Sequence, residues 1–263
     1  MGVLNLTPDS FFSSSRHSRD SARRQAAIMA KEGADILDIG GESTRPGSLP
    51  VSPAEELDRV LPLVEALRRE VALPLSVDTT KSAVAKAALQ EGAEFVNDIS
   101  GLRFDAAMAS VVAEAGGGLM LMHTRGRPEG MQQDTRYDDL LEEIRRYLQA
   151  GVAQARGAGI AGEKLAIDPG IGFGKDTEGN LEILARLGEL RFLGLPLLIG
   201  TSRKGFIGKI LDQPSAEQRL FGSLATVALA VAAGADILRV HDVGPSREVA
   251  LVAWAVRQAG PIG

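Results

Sequence analysis

Short apolar runs punctuate the chain, and residues of a different kind follow each one. The runs lie at 2–4, 36–39, 75–77, 95–96, 119–122, 165–167, 197–199 and 237–238. Asn5 follows the first, the ESTRPG stretch at 42–47 the second and Asp78 the third. Asn97 and Asp98, then His123, then Asp168 with Pro169 and Gly170 follow the next three. Ser202, Arg203 and Lys204 follow the seventh, and Arg239, His241 and Asp242 follow the last. Runs this short and this apolar predict buried strands of a parallel sheet, each with its polar tip at the same edge. The intervening stretches have helical periodicity, at 21–32, 53–70, 81–90, 105–115, 137–158, 179–190, 217–233 and 245–258. In 137–158 one face carries Leu140, Leu141, Ile144, Leu148 and Val152. Asp138 and Asp139 open that helix at its positive dipole end, and Gly157 and Gly159 close it. Strict alternation through eight units predicts an α/β protein, a (β/α)8 TIM barrel, as a single domain over residues 1–263.

A local echo supports that architecture. The segments EGADILD at 32–38, EGAEFVN at 91–97 and AGADILR at 233–239 share one pattern. A glycine ends a helix, an alanine permits close packing, an acid opens the strand, and apolar residues lead to a polar tip. The stretches at 13–15 and 45–52 are expected to be mobile loops at the end that carries the chemistry.

Composition narrows the function classes. The 263 residues are enough to bury roughly three quarters of the unfolded chain's surface without staples. Cysteine is absent, which excludes disulfides, thiolate metal sites and cysteine nucleophiles. The 29 basic and 34 acidic residues are interspersed and sum to −5, with no basic stripe for nucleic acid. No apolar run approaches the ~18 residues of a membrane span, and no signal pattern opens the chain. A soluble cytoplasmic protein acting on small molecules is expected. Met1 stands directly before the first predicted strand, an unusual opening that points to a preceding segment.

The most specific motif is DPGIGFGK at 168–175. Its glycines allow close backbone approach to a flat or anionic ligand, and Phe173 offers a ring to cover it. Asp168 can accept two hydrogen bonds from an amidine-like edge; the plainer reading is a glycine-rich loop that it caps. Asp78 and Asn97 also end apolar runs, and together the three would read the donors and acceptors of a heteroaromatic amine. Asp78 could instead cap the helix beginning near Lys81. Arg239 and His241 are two apart in a strand, so they face one way and can hold an anion together. The alternative for Arg239 is an interior ion pair with an aspartate. Ser202 and Lys204 can serve a carboxylate or carbonyl, or belong to a solvated basic loop. A Schiff-base lysine, as in barrel aldolases, is also open. Asn5 suits a hard cation such as Mg2+ carried by phosphate oxygens, or caps a turn. His123 reads as readily as a satisfied core histidine, and His17 as a solvated one.

Taken together these segments resemble the dihydropteroate synthase family. GVLNLTPDSF, GADILDIGGESTRPG, SVDT, FVNDISG, LMH, IDPGIGFGK, GTSRKGFIG and RVHDV occur in order from residue 2 to 243. The resemblance implies a (β/α)8 barrel joining 6-hydroxymethyl-7,8-dihydropterin diphosphate to 4-aminobenzoate on the folate route. It also implies Mg2+ as cofactor, a homodimer and sulfonamides as competitors of aminobenzoate. By resemblance Asp78, Asn97, Asp168 and Lys204 bind the pterin edge. Arg239 and His241 hold the diphosphate or lie against the pterin, and Asn5 meets the Mg2+. Thr44, Arg45, Pro46, Phe173, Ser202 and Lys204 form the aminobenzoate side. Asp78, Lys204, Arg239 and His241 carry the catalysis. The first loop departs from the family's acidic, glycine-rich run, reading FFSSSRH at 11–17. A pterin-binding methyltransferase domain using methyltetrahydrofolate shares the carboxylates but has no diphosphate to hold. A catalytically silent pterin-binding protein would have no need of Asn5, Lys204, Arg239 and His241.

Overall fold

The computed structural model describes residues 1–6 and 19–260; the loop expected at 13–15 and His17 lie outside the described residues. Eight strands alternate with helices. The strands are β1 (Gly2–Asn5), β2 (Leu37–Gly40), β3 (Leu75–Asp78), β4 (Phe95–Asp98), β5 (Gly118–Met122), β6 (Leu165–Asp168), β7 (Leu198–Ile199) and β8 (Ile237–Leu238). β1 to β6 form one parallel sheet in sequence order, and β7 pairs with β8. Parallel bridges Ile167↔Leu197 and Gly2↔Val240 join the two pieces. The Val3 N–H donates to the Val240 carbonyl at 3.0 Å and the Val240 N–H to the Met1 carbonyl at 3.0 Å, so the last strand returns to the first. The result is a (β/α)8 barrel.

The period-two alternation of a strand divides its side chains between two environments. One set packs outward under the helices: Leu37, Ile39, Leu75, Val77, Val96, Leu119, Leu121, Leu165, Ile167, Leu197 and Ile199 belong to the main core. The inward set is layered. Met1, Met120, Ala166 and Leu198 plug the lower end, with Ile36, Phe95 and Ile237 against them. Above them sit buried Asp38, Ser76, Asp78, Asn97 and Asp168. Asn5, Gly40, Asp78 and Asn97 occupy one register level across β1 to β4.

The helices are α1 (Arg19–Lys31), α2 (Pro53–Glu70), α3 (Ser82–Glu91), α4 (Met108–Ala115), α5 (Leu140–Gly157), α6 (Thr177–Ala185), α7 (Gly205–Leu211), α8 (Leu220–Ala232) and α9 (Val243–Ala259). Some departures from the expected periodicity have clear causes. α4 starts at Met108 rather than 105, with Asp105 ahead of it as a turn residue that accepts from the Ala107 N–H at 3.0 Å and, through its other oxygen, from the Ser82 N–H at 2.7 Å at the start of α3. The helix expected over 179–190 ends at Ala185 and tightens into a 3-10 segment over Leu187–Leu193. The polar residues 202–204 lead directly into a short helix over Gly205–Leu211, which the periodicity alone did not mark. The 45–52 loop, expected to be mobile, is tied down. The Gly47 N–H donates to the Pro128 carbonyl at 2.8 Å, and the Val51 N–H donates to Glu42 at 2.8 Å.

The three echoed turns are built alike. Gly33, Gly92 and Gly234 all have positive φ, at 88°, 108° and 101°, and an arginine side chain lies over each. A Cβ on Gly92 would sit 2.5 Å from Cδ of Arg68. Gly92→Ala is therefore expected to cost about 1–2 kcal/mol, from the left-handed backbone of a non-glycine residue. Urea unfolding checks this; an unchanged midpoint would remove the turn from the account.

Candidate active site

The carboxyl ends of the strands open into one cavity of about 630 Å³. Asn5, Thr44, Arg45, Pro46, Asn97, Asp168, Phe173, Ser202, Lys204, Arg239 and His241 all line it. Asp78 does not; it sits beneath, reaching the cavity through Arg239. The Arg239 guanidinium donates from Nε to Asp38 at 2.7 Å and from Nη2 to Asp78 at 2.7 Å. The alternative reading of Arg239 as an interior ion pair is thus realised, although the same side chain forms part of the cavity wall. Asp78 caps no helix: α3 has Lys81 at its N-cap position.

The floor is acidic and buried. Burial pushes the Asp78 carboxyl well up from its ordinary range, against the pull of Arg239. Burial also pushes Asp168 up, to about 6, while the Gly170 N–H, donating to it at 2.7 Å, and nearby Lys204 and Arg239 hold it back. One wall is cationic. Burial and Arg239 bring Lys204 down to about 8, so its ammonium persists at neutral pH. Burial and the cations around it bring His241 down to about 3, so the ring is neutral. The Ser202 hydroxyl accepts from the His241 backbone N–H at 3.2 Å and lies 3.1 Å from Nδ1. A hydroxyl proton directed at Nδ1 would put the ring proton on Nε2. In that tautomer His241 offers an anion a neutral donor, beside the permanent charge of Arg239.

The DPGIGFGK loop follows β6 with Gly170, Gly172 and Gly174 at φ 73°, 81° and 66°. A Cβ on Gly170 would lie 1.9 Å from the His123 carbonyl oxygen, so no side chain fits there. Phe173 packs with Ile99, Met122 and Met131, and the Lys204 ammonium stands 4.2 Å above its ring. Across the cavity, the ESTRPG turn is held from behind by a buried ionic triad. Lys81 Nζ lies 2.6 Å from Glu42 and 2.5 Å from Glu56, and Glu56 is fully buried in α2. Beside the clamp on the cationic wall, Arg203 has φ 60° and donates to both oxygens of Asp242, at 2.9 and 2.6 Å.

Sequence reasoning missed Asp38, Lys175 and the triad. Asp38 lies two residues before Gly40 on β2, so strand parity placed it inward with the register level already noted. Lys81, Glu42 and Glu56 come from three separate segments, and nothing in their spacing joins them. His123 is indeed a buried histidine, with its ring edge-on to Tyr147 at 4.7 Å.

The donor set at Asn5 fits a cation that arrives with its own phosphate ligands. A Cβ on Gly40 would lie 3.3 Å from Asn5 Oδ1, so the absent side chain leaves that carboxamide oxygen room. Among the described residues no cluster of three or more acidic or histidine side chains forms a metal cage. A single neutral oxygen suits a hard ion that keeps most of its water.

Comparison with known proteins agrees with this arrangement. The family profile described as "Pterin binding enzyme" matches residues 1–241. The dihydropteroate synthase of Synechocystis is 49% identical over 257 residues, covering 97% of this chain and 89% of that protein. That of Escherichia coli is 45% identical, covering 98% of this chain and 92% of its own length. The chain belongs to the dihydropteroate synthase family. The Yersinia pestis enzyme, solved with a sulfonamide drug, superposes with a TM-score of 0.94 at 45% identity, covering 99% of this chain and 94% of that one. The Xanthomonas albilineans enzyme, solved with 4-aminobenzoic acid, gives 0.91 at 44% identity, covering 99% and 93%.

The raised Asp168 group yields a prediction with a defined sign. A carboxyl whose folded pKa lies above its unfolded value favours the folded state at low pH, and that advantage is lost as pH rises from about 4 to about 6. Its charged form therefore costs on the order of 3 kcal/mol at neutral pH. Asp168→Asn is expected to raise Tm at pH 7.5 and leave it nearly unchanged at pH 4, while weakening pterin binding more than aminobenzoate binding. A fall in Tm at pH 7.5, or equal loss of both ligands by calorimetry, would contradict this.

Proposed function

We propose that the chain joins 6-hydroxymethyl-7,8-dihydropterin diphosphate to 4-aminobenzoate, giving 7,8-dihydropteroate and pyrophosphate. The observation that carries this reading is the division of one cavity into a buried acidic floor and a cationic wall. Asp168 and Asn97, with Asp78 beneath them, present acceptors and a carboxamide to the amino-pyrimidine edge of a pterin. Lys204, Arg239 and His241 present donors to its carbonyl and to the departing diphosphate. A methyl-carrying pterin would leave that wall without a task.

The chemistry follows from these placements. The aniline nitrogen is neutral near pH 7, so it attacks without a general base. The bond from the pterin methylene to oxygen breaks, the bond to nitrogen forms, and the nitrogen then sheds a proton. As the methylene becomes electron-poor, Asp78 and Asp168 favour the positive charge that spreads into the ring. Arg239 and neutral His241 hold the oxygens that gain charge. Mg2+ bound to the diphosphate, met by Asn5, would supply further neutralisation of the leaving group. On the other side, Thr44, Arg45 and Pro46 face Phe173, Ser202 and Lys204 and align the aminobenzoate. Holding both reactants in line is worth roughly 7–11 kcal/mol of the barrier. Sulfonamides, with their aniline ring, fit the same side and compete there.

The protein is read as a homodimer through α8 and α9. Phe221, Leu229, Leu251, Val252, Trp254 and Val256 are all more than half exposed on these helices. A patch of this kind marks an interaction surface. No helix among the described residues is long and apolar enough to cross a membrane.

Pyrophosphate release with both substrates and Mg2+ tests the reaction: release dependent on aminobenzoate, with pteroate as product, is expected. Absence of pteroate would end the assignment. Trp254→Glu combined with Leu251→Glu is expected to halve the mass seen by light scattering; an unchanged mass would move the contact elsewhere.

A further inference from the structure

Two residues of the sequence motifs have no part in the chemistry above: His123, which ends the LMH segment, and Lys175, which ends the DPGIGFGK loop. The structure brings them together. Lys175 Nζ lies 2.9 Å from His123 Nδ1 and donates to the Phe173 carbonyl at 2.8 Å. Lys175 is 2% exposed and His123 0%. We propose that Lys175, steadied by His123, is a positioning residue that fixes the Phe173 ring against aminobenzoate. The inference rests on the proposed reaction.

The argument begins with the backbone. Three glycines at positive φ give the 168–175 loop more freedom than any other segment lining the cavity, so its shape is imposed from outside. Each turn of it is fastened. Asp168 accepts from the Gly170 N–H, Asn180 accepts from the Gly172 N–H at 2.6 Å, and the Tyr137 hydroxyl donates to the Gly174 carbonyl at 2.7 Å. Gln132 donates to the Gly172 carbonyl at 3.1 Å. The Phe173 carbonyl is the remaining point, and Lys175 is what holds it. Phe173 is thus gripped twice, at its backbone by one lysine and over its ring by the Lys204 ammonium.

The histidine completes the device. Burial brings Lys175 down to about 7, against the pull of Asp168; as an ammonium it can only donate, so Nδ1 then accepts and the ring proton lies on Nε2, which stands 3.8 Å from Glu143. Burial and the neighbouring cations keep the ring neutral. Tyr147 packs edge-on to it, and Gly170 lies on its carbonyl, so the acceptor cannot shift. Burying an amine without a carboxylate in contact is costly. Simple packing would be served better by an apolar side chain, and the placement behind Phe173 gives the amine a task.

Three variants test this: Lys175→Met, His123→Leu and His123→Asn, the last keeping an acceptor where Nδ1 stands. Wild-type protein must first show aminobenzoate-dependent pyrophosphate release; failure there overturns the proposed reaction rather than this inference. Lys175→Met and His123→Leu are expected to raise the aminobenzoate KM about tenfold or more, with kcat falling less. Calorimetric affinity for the pterin diphosphate should stay within about twofold, and His123→Asn should restore most of the KM. An unchanged KM in a folded variant, parallel loss for both ligands, or His123→Asn no better than His123→Leu would overturn the assignment. Should Lys175→Met not fold, the two His123 variants decide alone.

Discussion

The tie from Arg239 to Asp38 and Asp78 is the interaction on which the site depends. It spans the barrel interior, joining the strand that closes the ring to the second and third strands. A barrel core is ordinarily filled by branched apolar side chains. Here its middle level holds carboxylates, and a buried carboxylate without a partner is among the most costly features a fold can carry. The guanidinium carries its charge permanently, and with the carboxylates close it holds that charge more tightly still. It therefore makes an acidic floor compatible with a folded protein. The acids remain strained toward protonation, as Asp168 shows. That residual discomfort is relieved when a ligand brings donors of its own.

The barrel was legible because the apolar runs are short, end in polar residues and recur with helices between them. The cavity was legible for the same reason: parity and strand ends were enough to gather Asn5, Asn97, Asp168, Arg239 and His241, whereas spacing alone left Lys204 open. What escaped detection acts through side chains meeting across distant segments. Lys81 finds Glu42 and Glu56, and Lys175 finds His123, only when helices and strands have packed. A helix start went astray where one side chain tied a turn and a neighbouring helix together, as with Asp105. The helix over 205–211 is only seven residues long, too short to show a clear apolar period.

The support behind the cavity is of two kinds. Glycine-rich backbone supplies close approach at the 168–175 loop, and external hydrogen bonds then remove the freedom that came with it. Charged clamps do the same work elsewhere: Arg203 with Asp242 fixes the strand ends carrying Ser202, Lys204 and His241, and the Lys81 triad fixes the ESTRPG turn. The groups that line the cavity are therefore preset, as a reaction whose main requirement is alignment would need.

The main-chain bond from Gly47 to Pro128 has a consequence for inhibition. It staples the turn beside Thr44, Arg45 and Pro46 to Pro128 in the segment after β5, a residue outside the cavity lining. A compound occupying that side would thus select at a remote position as well. An exchange near 126–130 would retune the wall while every residue lining the cavity keeps its identity.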